Sequence, residues 1–258
     1  MRQLDYHRIE WAQMAKYKNP PIMEAVCEFK FAEDTKWDMT IPGILYSEIQ
    51  KEFPHKEQHL IQQVNITTKD APPKTQIRKI EQVRFLNNDK TTLIQVGPRT
   101  LSINQLKPYK TWSDFKHYIE YAFDILNKKT KLSAPQRIGI RYINKVEIPL
   151  QVANLNDYFE FRPYFGKNMQ KSYNSFIVGC VFPFNEDRDS CKVELTSAVP
   201  ENDGSSAFLL DIDYSLAKPQ SVPIDASLEW VEDAHDETDN AFEGCISKPL
   251  RDIFGEVK

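Results

Sequence analysis

Acidic and basic residues recur at a spacing of two or four along several stretches of this sequence, which sets their side chains on one face of a strand. In Leu210-Asp211-Ile212-Asp213-Tyr214, the two aspartates point one way and the apolar residues the other. Glu194 lies on the run just before, Glu24 and Glu28 share a side of the run Met23–Phe31, and Arg137 and Arg141 share a side of Arg137–Asn144. If these strands lie in one sheet, carboxylates and guanidinium groups line one surface. Oxygen donors of this kind suit magnesium or calcium, and arginine forks suit phosphate. The chemistry would be that of a metal-dependent enzyme or sensor for a phosphate-bearing nucleotide. Strand alternation by itself also produces a solvated face crossed by ion pairs, so the pattern supports either outcome.

Other catalytic arrangements are not assembled by the sequence. No nucleophile has a histidine at motif spacing, so no catalytic residue is assigned, no cofactor is implied and any metal stays unidentified. His55 and His59 follow Pro54 and read as exposed residues of a loop or helix start. His235, with Asp239 one helical turn on, reads as a hydrogen-bonded, partly buried histidine. Glycine is scarce: there are 8, and the nearest two, Gly244 and Gly255, stand eleven residues apart. That excludes a P-loop, a dinucleotide fingerprint and a nucleophile elbow, each of which needs closely spaced glycines. Tyr158, Phe161, Arg162 and Tyr164 cluster in one stretch, where aromatics mixed with arginine suit a partner surface or packing of the segment on its own core.

The elements that would position these residues follow from periodicity. Asn19-Pro20-Pro21 separates an arm, 1–18, from a single domain, 19–258. Ala25, Cys27, Phe29 and Phe31 alternate with Glu24, Glu28 and Lys30, predicting a half-buried strand. A helix capped by Thr40 with Pro42 in its first turn ends at Pro54. A strand over 60–66 leads to a loop over 67–75. Then comes a meander over 80–86, 92–96 and 100–104, turning at Asn87–Lys90 and Gly97-Pro98. Trp112, Phe115, Ile119, Ala122, Phe123 and Leu126 form a helical stripe near 112–128, capped by Thr111 or Ser113. After the strand from Arg137, a short helix over 155–161 and three further strands lead to a helix near 225–245. Asp225 would cap it, Leu228, Val231, His235, Thr238, Phe242 and Cys245 would face inward, and its other sides are crowded with acids. Strands joined by turns favour antiparallel pairing. The fold class is therefore α+β: a largely antiparallel sheet covered by two long helices, whose second part echoes the first as a degenerate duplication would.

The 258 residues carry a net charge of −4, with 41% hydrophobic and 27% charged residues, the balance of a globular chain with a sizeable core. Mild negative charge argues against nucleic-acid binding by general electrostatics. No apolar run approaches a membrane span or a signal-peptide core, and four scattered cysteines read as reduced thiols of a cytoplasmic protein. Triphosphate tunnel enzymes carry Glu-x-Glu-x-Lys on an early strand. Glu28-Phe29-Lys30 keeps the end of that pattern, and Val26 stands where its first glutamate would be. Over nearly the whole chain from Asn19, the segments NPPIMEAVCEFKF, TIPGILYSEIQKEFP, LIQVGPRTLSIN, PYKTWSDF, IRYINKVEIP and AFEGCI resemble an uncharacterised, sporadically distributed prokaryotic protein family. The resemblance implies a cytosolic bacterial or archaeal protein, of a patchy distribution that often accompanies toxin–antitoxin or phage-defence loci. The expectation is thus a non-catalytic binding protein acting through a protein partner or as a homo-oligomer, such as an antitoxin or accessory component, with the metal-dependent enzyme or sensor as the alternative.

Overall fold

The computed structural model describes residues 16–67, 74–170 and 172–257. Its elements in chain order are β1 (Lys16–Tyr17), β2 (Ile22–Phe31), α1 (Ile41–Ile49), β3 (His55–Thr67), β4 (Lys74–Leu86), β5 (Thr92–Gly97), β6 (Thr100–Leu106), α2 (Trp112–Thr130), β7 (Pro135–Ile148) and α3 (Leu155–Tyr158). They continue with β8 (Ile177–Phe184), β9 (Asp189–Ala198), β10 (Ser206–Leu216), a 3-10 turn (Ile224–Ala226), α4 (Ser227–Cys245), α5 (Lys248–Phe254) and β11 (Glu256–Val257).

Alternation in the central strands decides the layering. Ala25, Cys27 and Phe29 of β2, Ile138, Ile140 and Tyr142 of β7, and Leu210, Ile212 and Tyr214 of β10 are all buried on one side. The sheet has nine strands in the order β3-β4-β5-β6-β2-β7-β10-β9-β8, antiparallel throughout. The α+β expectation is met in this form. The topology is symmetric about the β2–β7 pair. On each side the chain leaves a central strand, passes a helix, and returns through a meander whose last strand, β6 or β10, pairs with the central one. Among the described residues its outer strands β3 and β8 each pair on one side only, so there the sheet is open and does not close into a tunnel.

On the buried side α2 places Phe115, Ile119, Ala122, Phe123 and Leu126 in the core. It begins where the Thr111 hydroxyl accepts the Asp114 N–H at 3.1 Å, and ends at Lys131 in the left-handed region. Helix α4 packs on β7 and β10, burying Trp230, Val231, Ala234, His235, Thr238 and Cys245, while Leu228 and Phe242 are partly buried. Asp225 does not cap it: the Ala226 N–H bonds back to Pro223, making a 3-10 turn that contains Asp225.

Several elements differ from their sequence expectation. His55 and His59 belong to strand β3, not to a loop or helix start. Its first residues, 55–58, are exposed on both faces and carry no apolar alternation, so periodicity misses them. Helix α5 and the small β1–β11 sheet were not anticipated. The pairing Tyr17↔Glu256 ties the end of the arm 1–18 to the C-terminus. Residues 1–15 of that arm, and 68–73 of the loop 67–75, lie outside the described residues.

One buried carboxylate joins the far strands to the helix layer. Asp189, 1% exposed at the start of β9, accepts from the Arg188 guanidinium at 2.7 and 3.0 Å, from Asn185 Nδ2 at 2.7 Å and from Trp230 Nε1 of α4 at 3.0 Å. Burial, and then this carboxylate, raise the Tyr214 hydroxyl's pKa, so Tyr214 stays protonated. Removing Asp189 leaves the buried Trp230 Nε1 without its acceptor, while the Arg188 side chain, 36% exposed, can turn to water. The Asp189→Ala variant is expected to lose about 1–3 kcal/mol of stability, and Asp189→Asn less, as read from urea unfolding midpoints.

Candidate functional site

The acids and arginines singled out by spacing lie on the side of the sheet away from the core, as strand alternation requires. Glu24 and Glu28 on β2, Arg137 and Arg141 on β7, Asp211 and Asp213 on β10 and Glu194 on β9 occupy four adjacent strands. Each finds a partner on that face. Arg137 reaches Glu28 at 3.1 Å and Asp213 at 3.0 Å, and Arg141 makes a bidentate pair with Asp211. Glu194 stands opposite Asp211 in the ladder and is paired with Lys192 at 2.8 Å. Glu24 accepts from Asn104 Nδ2 at 2.7 Å, which extends the row through Gln95 to Arg84. Among the described residues, no group of three or more His, Cys, Asp or Glu is arranged to hold a metal ion. The forks that would take phosphate are engaged with carboxylates, so the face is a lattice of cross-strand ion pairs.

A different set of side chains converges on the opposite side of β7. A cleft of about 910 Å³ opens between the first turn of α2, the second half of α4, the segment Tyr17–Ile22 and α5. Tyr17, Tyr109, Trp112, Tyr142 and Phe242 line it, together with His235, Asp239, Glu243 and Arg251. His235, 4% exposed, is held on three sides. Trp112 stacks on its ring with centroids 3.9 Å apart, Tyr142 places its hydroxyl 3.0 Å from Nδ1, and Asp239 lies 3.7 Å from Nε2. Burial raises the Tyr142 pKa well above its ordinary value, so its hydroxyl stays protonated beside Nδ1, and the direction of the bond between them follows the histidine tautomer.

Burial sets the charge states here. Desolvation lowers His235 to about 4, against an opposing pull from Glu232. Asp239 is pushed up to about 7 by desolvation and then by the neighbouring Asp236 and Glu243 carboxylates. Burial alone would raise Glu232 as well. Its bonds to Lys116, at 2.6 Å, and to Trp112 Nε1, at 3.1 Å, outweigh burial and bring it down. At the rim, Tyr17 donates to Glu243 at 2.6 Å and Arg251 Nε donates to the other Glu243 oxygen at 2.8 Å. The site is thus an aromatic cleft holding a neutral histidine beside a carboxyl that is only partly ionised at neutral pH.

The residues suggested as a partner surface split apart. Tyr158 and Phe161 pack against the core, and Arg162 ties its own segment together through Asn156, Phe159 O and Glu160 O. Tyr164 is 89% exposed, on a second cleft of about 980 Å³ that Arg162 also lines. Sequence reasoning read His235 as a hydrogen-bonded, partly buried histidine with Asp239 one turn on; its bond is to Tyr142, with Asp239 3.7 Å away. That reasoning missed Tyr142, Trp112 and Tyr17, because their meeting depends on three elements distant in sequence.

The two shifted groups act oppositely on stability. His235 has a folded pKa below its unfolded value, so its contribution is lost as pH falls from about 6.5 through about 4. Asp239 has a folded pKa above its unfolded value, so its contribution is lost as pH rises from about 3.8 through about 7. In Asp239→Asn the second dependence disappears. This variant is expected to melt higher than the parent above pH 7, lose that advantage toward pH 4, and show the uncovered acid sensitivity of His235, all read from melting temperature against pH. Compared with family models and with curated proteins, the chain matches none.

Proposed function

We propose that this protein is a non-catalytic binding protein that receives a basic segment of a protein partner. A cationic side chain enters the aromatic cleft, and the acidic surface of α4 flanks it. The observation that carries this reading is Asp239, a carboxyl pushed up to about 7 in a cleft walled by aromatic rings. A cation seated there gains from the ring faces and relieves the crowding of Asp239, Asp236 and Glu243. Asp236 is raised as well, by burial and then by Glu232 and Asp233, so the same strain runs along the helix. The cover of the sheet by the long helices α2 and α4, and descent of the two halves from a degenerate duplication, belong to this reading: the cleft forms where the covers of the halves meet. From the sequence resemblance we infer a prokaryotic setting, with the protein serving as an antitoxin or accessory component of a toxin–antitoxin or phage-defence locus. A metal-dependent enzyme or sensor for a phosphate-bearing nucleotide is the second reading; it draws on the shared face of Arg137, Arg141 and the acids beside them.

The test is a calorimetric titration with lysine- and arginine-rich peptides, run beside a pull-down of the tagged protein from its host. Asp239→Asn and Trp112→Ala are expected to weaken peptide binding at least about tenfold and to lose the captured partner, while Arg141→Gln, on the other side of the sheet, retains both. Equal binding by Asp239→Asn and the parent would overturn the reading. Retention of a nucleotide or metal that is lost in Arg141→Gln would favour the second.

A further inference from the structure

Among the described residues the sheet ends at β8, whose sequence Ile177-Val178-Gly179-Cys180-Val181-Phe182-Pro183-Phe184 carries no charge. Ile177 is 69% exposed, Val181 66% and Phe182 42%, and Gly179, Cys180 and Pro183 are exposed as well. The other edge is built differently: β3 presents exposed His55, Lys56 and Glu57 to solvent. Soluble proteins guard an edge with charges of that kind, because bare peptide groups on an apolar strand invite another strand.

The ladder with β9 fixes which peptide groups of β8 face outward. The Ser197 N–H donates to the Phe176 carbonyl at 3.1 Å, and these residues stand opposite one another, one step beyond the pair Ile177↔Thr196. The even-numbered residues of β8 therefore exchange bonds with β9. The odd-numbered Ile177, Gly179, Val181 and Pro183 turn their peptide groups away from it. Pro183, which has no N–H, thus falls where β9 loses nothing.

We propose that β8 pairs antiparallel with β8 of a second copy of this chain, about a two-fold axis at Cys180. The strand is self-complementary in this register. On one face Gly179 meets Val181 of the partner subunit and Ile177 meets Pro183 of the partner subunit. On the other, Val178 meets Phe182 of the partner subunit. Every contact is apolar, small groups face large ones, and no charge is buried. The missing Pro183 donor falls at the two ends of the new ladder, which leaves about six backbone hydrogen bonds across it. A second copy fits better than an unrelated strand because the uncharged sequence, the outward peptide groups and the position of the proline are all met by one centre, at Cys180, which also gives the longest ladder with the proline at its ends. The axis passes through a non-hydrogen-bonded pair, setting the Cys180 α-carbons about 4.5 Å apart, within disulfide range. A ladder of this length is a small interface, so the dimer is expected to dissociate on dilution. None of this depends on what occupies the cleft.

Light scattering after size exclusion tests the pairing, with diamide as a cross-linking probe that takes up the two thiol hydrogens as the disulfide forms. Twice the chain mass at high loading, falling to one chain mass on dilution, is expected for the parent, with a covalent dimer after diamide. Cys180→Ser keeps the double mass and loses the cross-link. Val181→Lys, at an exposed position, gives one chain mass with an unchanged melting temperature; should it melt early, Ile177→Lys makes the same test. A parent of single-chain mass at every loading that diamide does not cross-link overturns the proposal. So does a double mass that survives both lysine variants, which would place the interface elsewhere.

Discussion

The structure depends on the register of β2 against β7. Cys27 faces Ile140 and Phe29 faces Ile138, which puts a continuous apolar surface beneath the helices. The same register puts Val26 beside Arg141 and Lys30 beside Arg137 on the other side. A slip of one residue would turn arginines into the core and phenylalanines into water, so burial locks it. Ala25 opposite Tyr142 belongs to this ladder, and from there the Tyr142 hydroxyl reaches His235. The cleft and the charged face are thus two sides of one constraint.

The two sides differ in what their polar groups do. On the open face the pairs are half-exposed, and such pairs contribute about 0–1 kcal/mol each. Their contribution is to alignment. A β-carbon on Gly139 would lie 2.7 Å from Arg137 Nη1, so the bare backbone there lets the guanidinium lie flat and bridge Glu28 and Asp213 across the strands. In the cleft, His235 is almost fully enclosed, and losing Tyr142 or Trp112 from it leaves a polar ring without company in a low-dielectric setting. On the charged face pairing raises Arg141 and Lys192, which stay cationic, whereas in the cleft burial moves His235 and Asp239 to charge states they would not hold in water.

What the sequence made legible follows from range. Alternation over 23–31, 137–144 and 210–214 identified the central strands and the face each side chain takes, since these depend on neighbours two residues away. The stripe from Trp112 to Leu126 and the Thr111 cap were equally local. Glu194 was expected near Asp211, and the two are direct ladder partners. Local pattern is silent where burial comes from elsewhere: α4 buries Trp230 and Ala234, outside the stripe read from the sequence, because the Asp189 hub and β10 set its rotation. Helix α5 was hidden behind Pro249, which reads as a breaker but sits in a first turn, where proline is tolerated. The aromatic walls of the cleft come from residues spread along the chain from Tyr17 to Phe242, and no spacing rule connects them.

The apolar edge raises a physical question, since a bare strand at the rim of a sheet would fray unless something stiffened it. The turn beyond β8 answers it. Asn185, Glu186 and Asp187 all hold positive φ, at 49°, 55° and 61°, without a glycine among them. Such a run is strained, and it persists only where surrounding bonds over-determine it. Asn185 Nδ2 is fixed to Asp189, the Glu186 carbonyl accepts Lys218 Nζ at 2.6 Å, and the Arg188 carbonyl accepts the Ala217 and Lys218 N–H groups. Asp189 in turn is bonded to Trp230, near the start of the helix whose later turns carry His235, Asp239 and Phe242 to the cleft. One helix therefore anchors the edge hairpin at one end and builds the cleft wall at the other. The strain in the turn is the cost of tying the end of β8 to the helix layer.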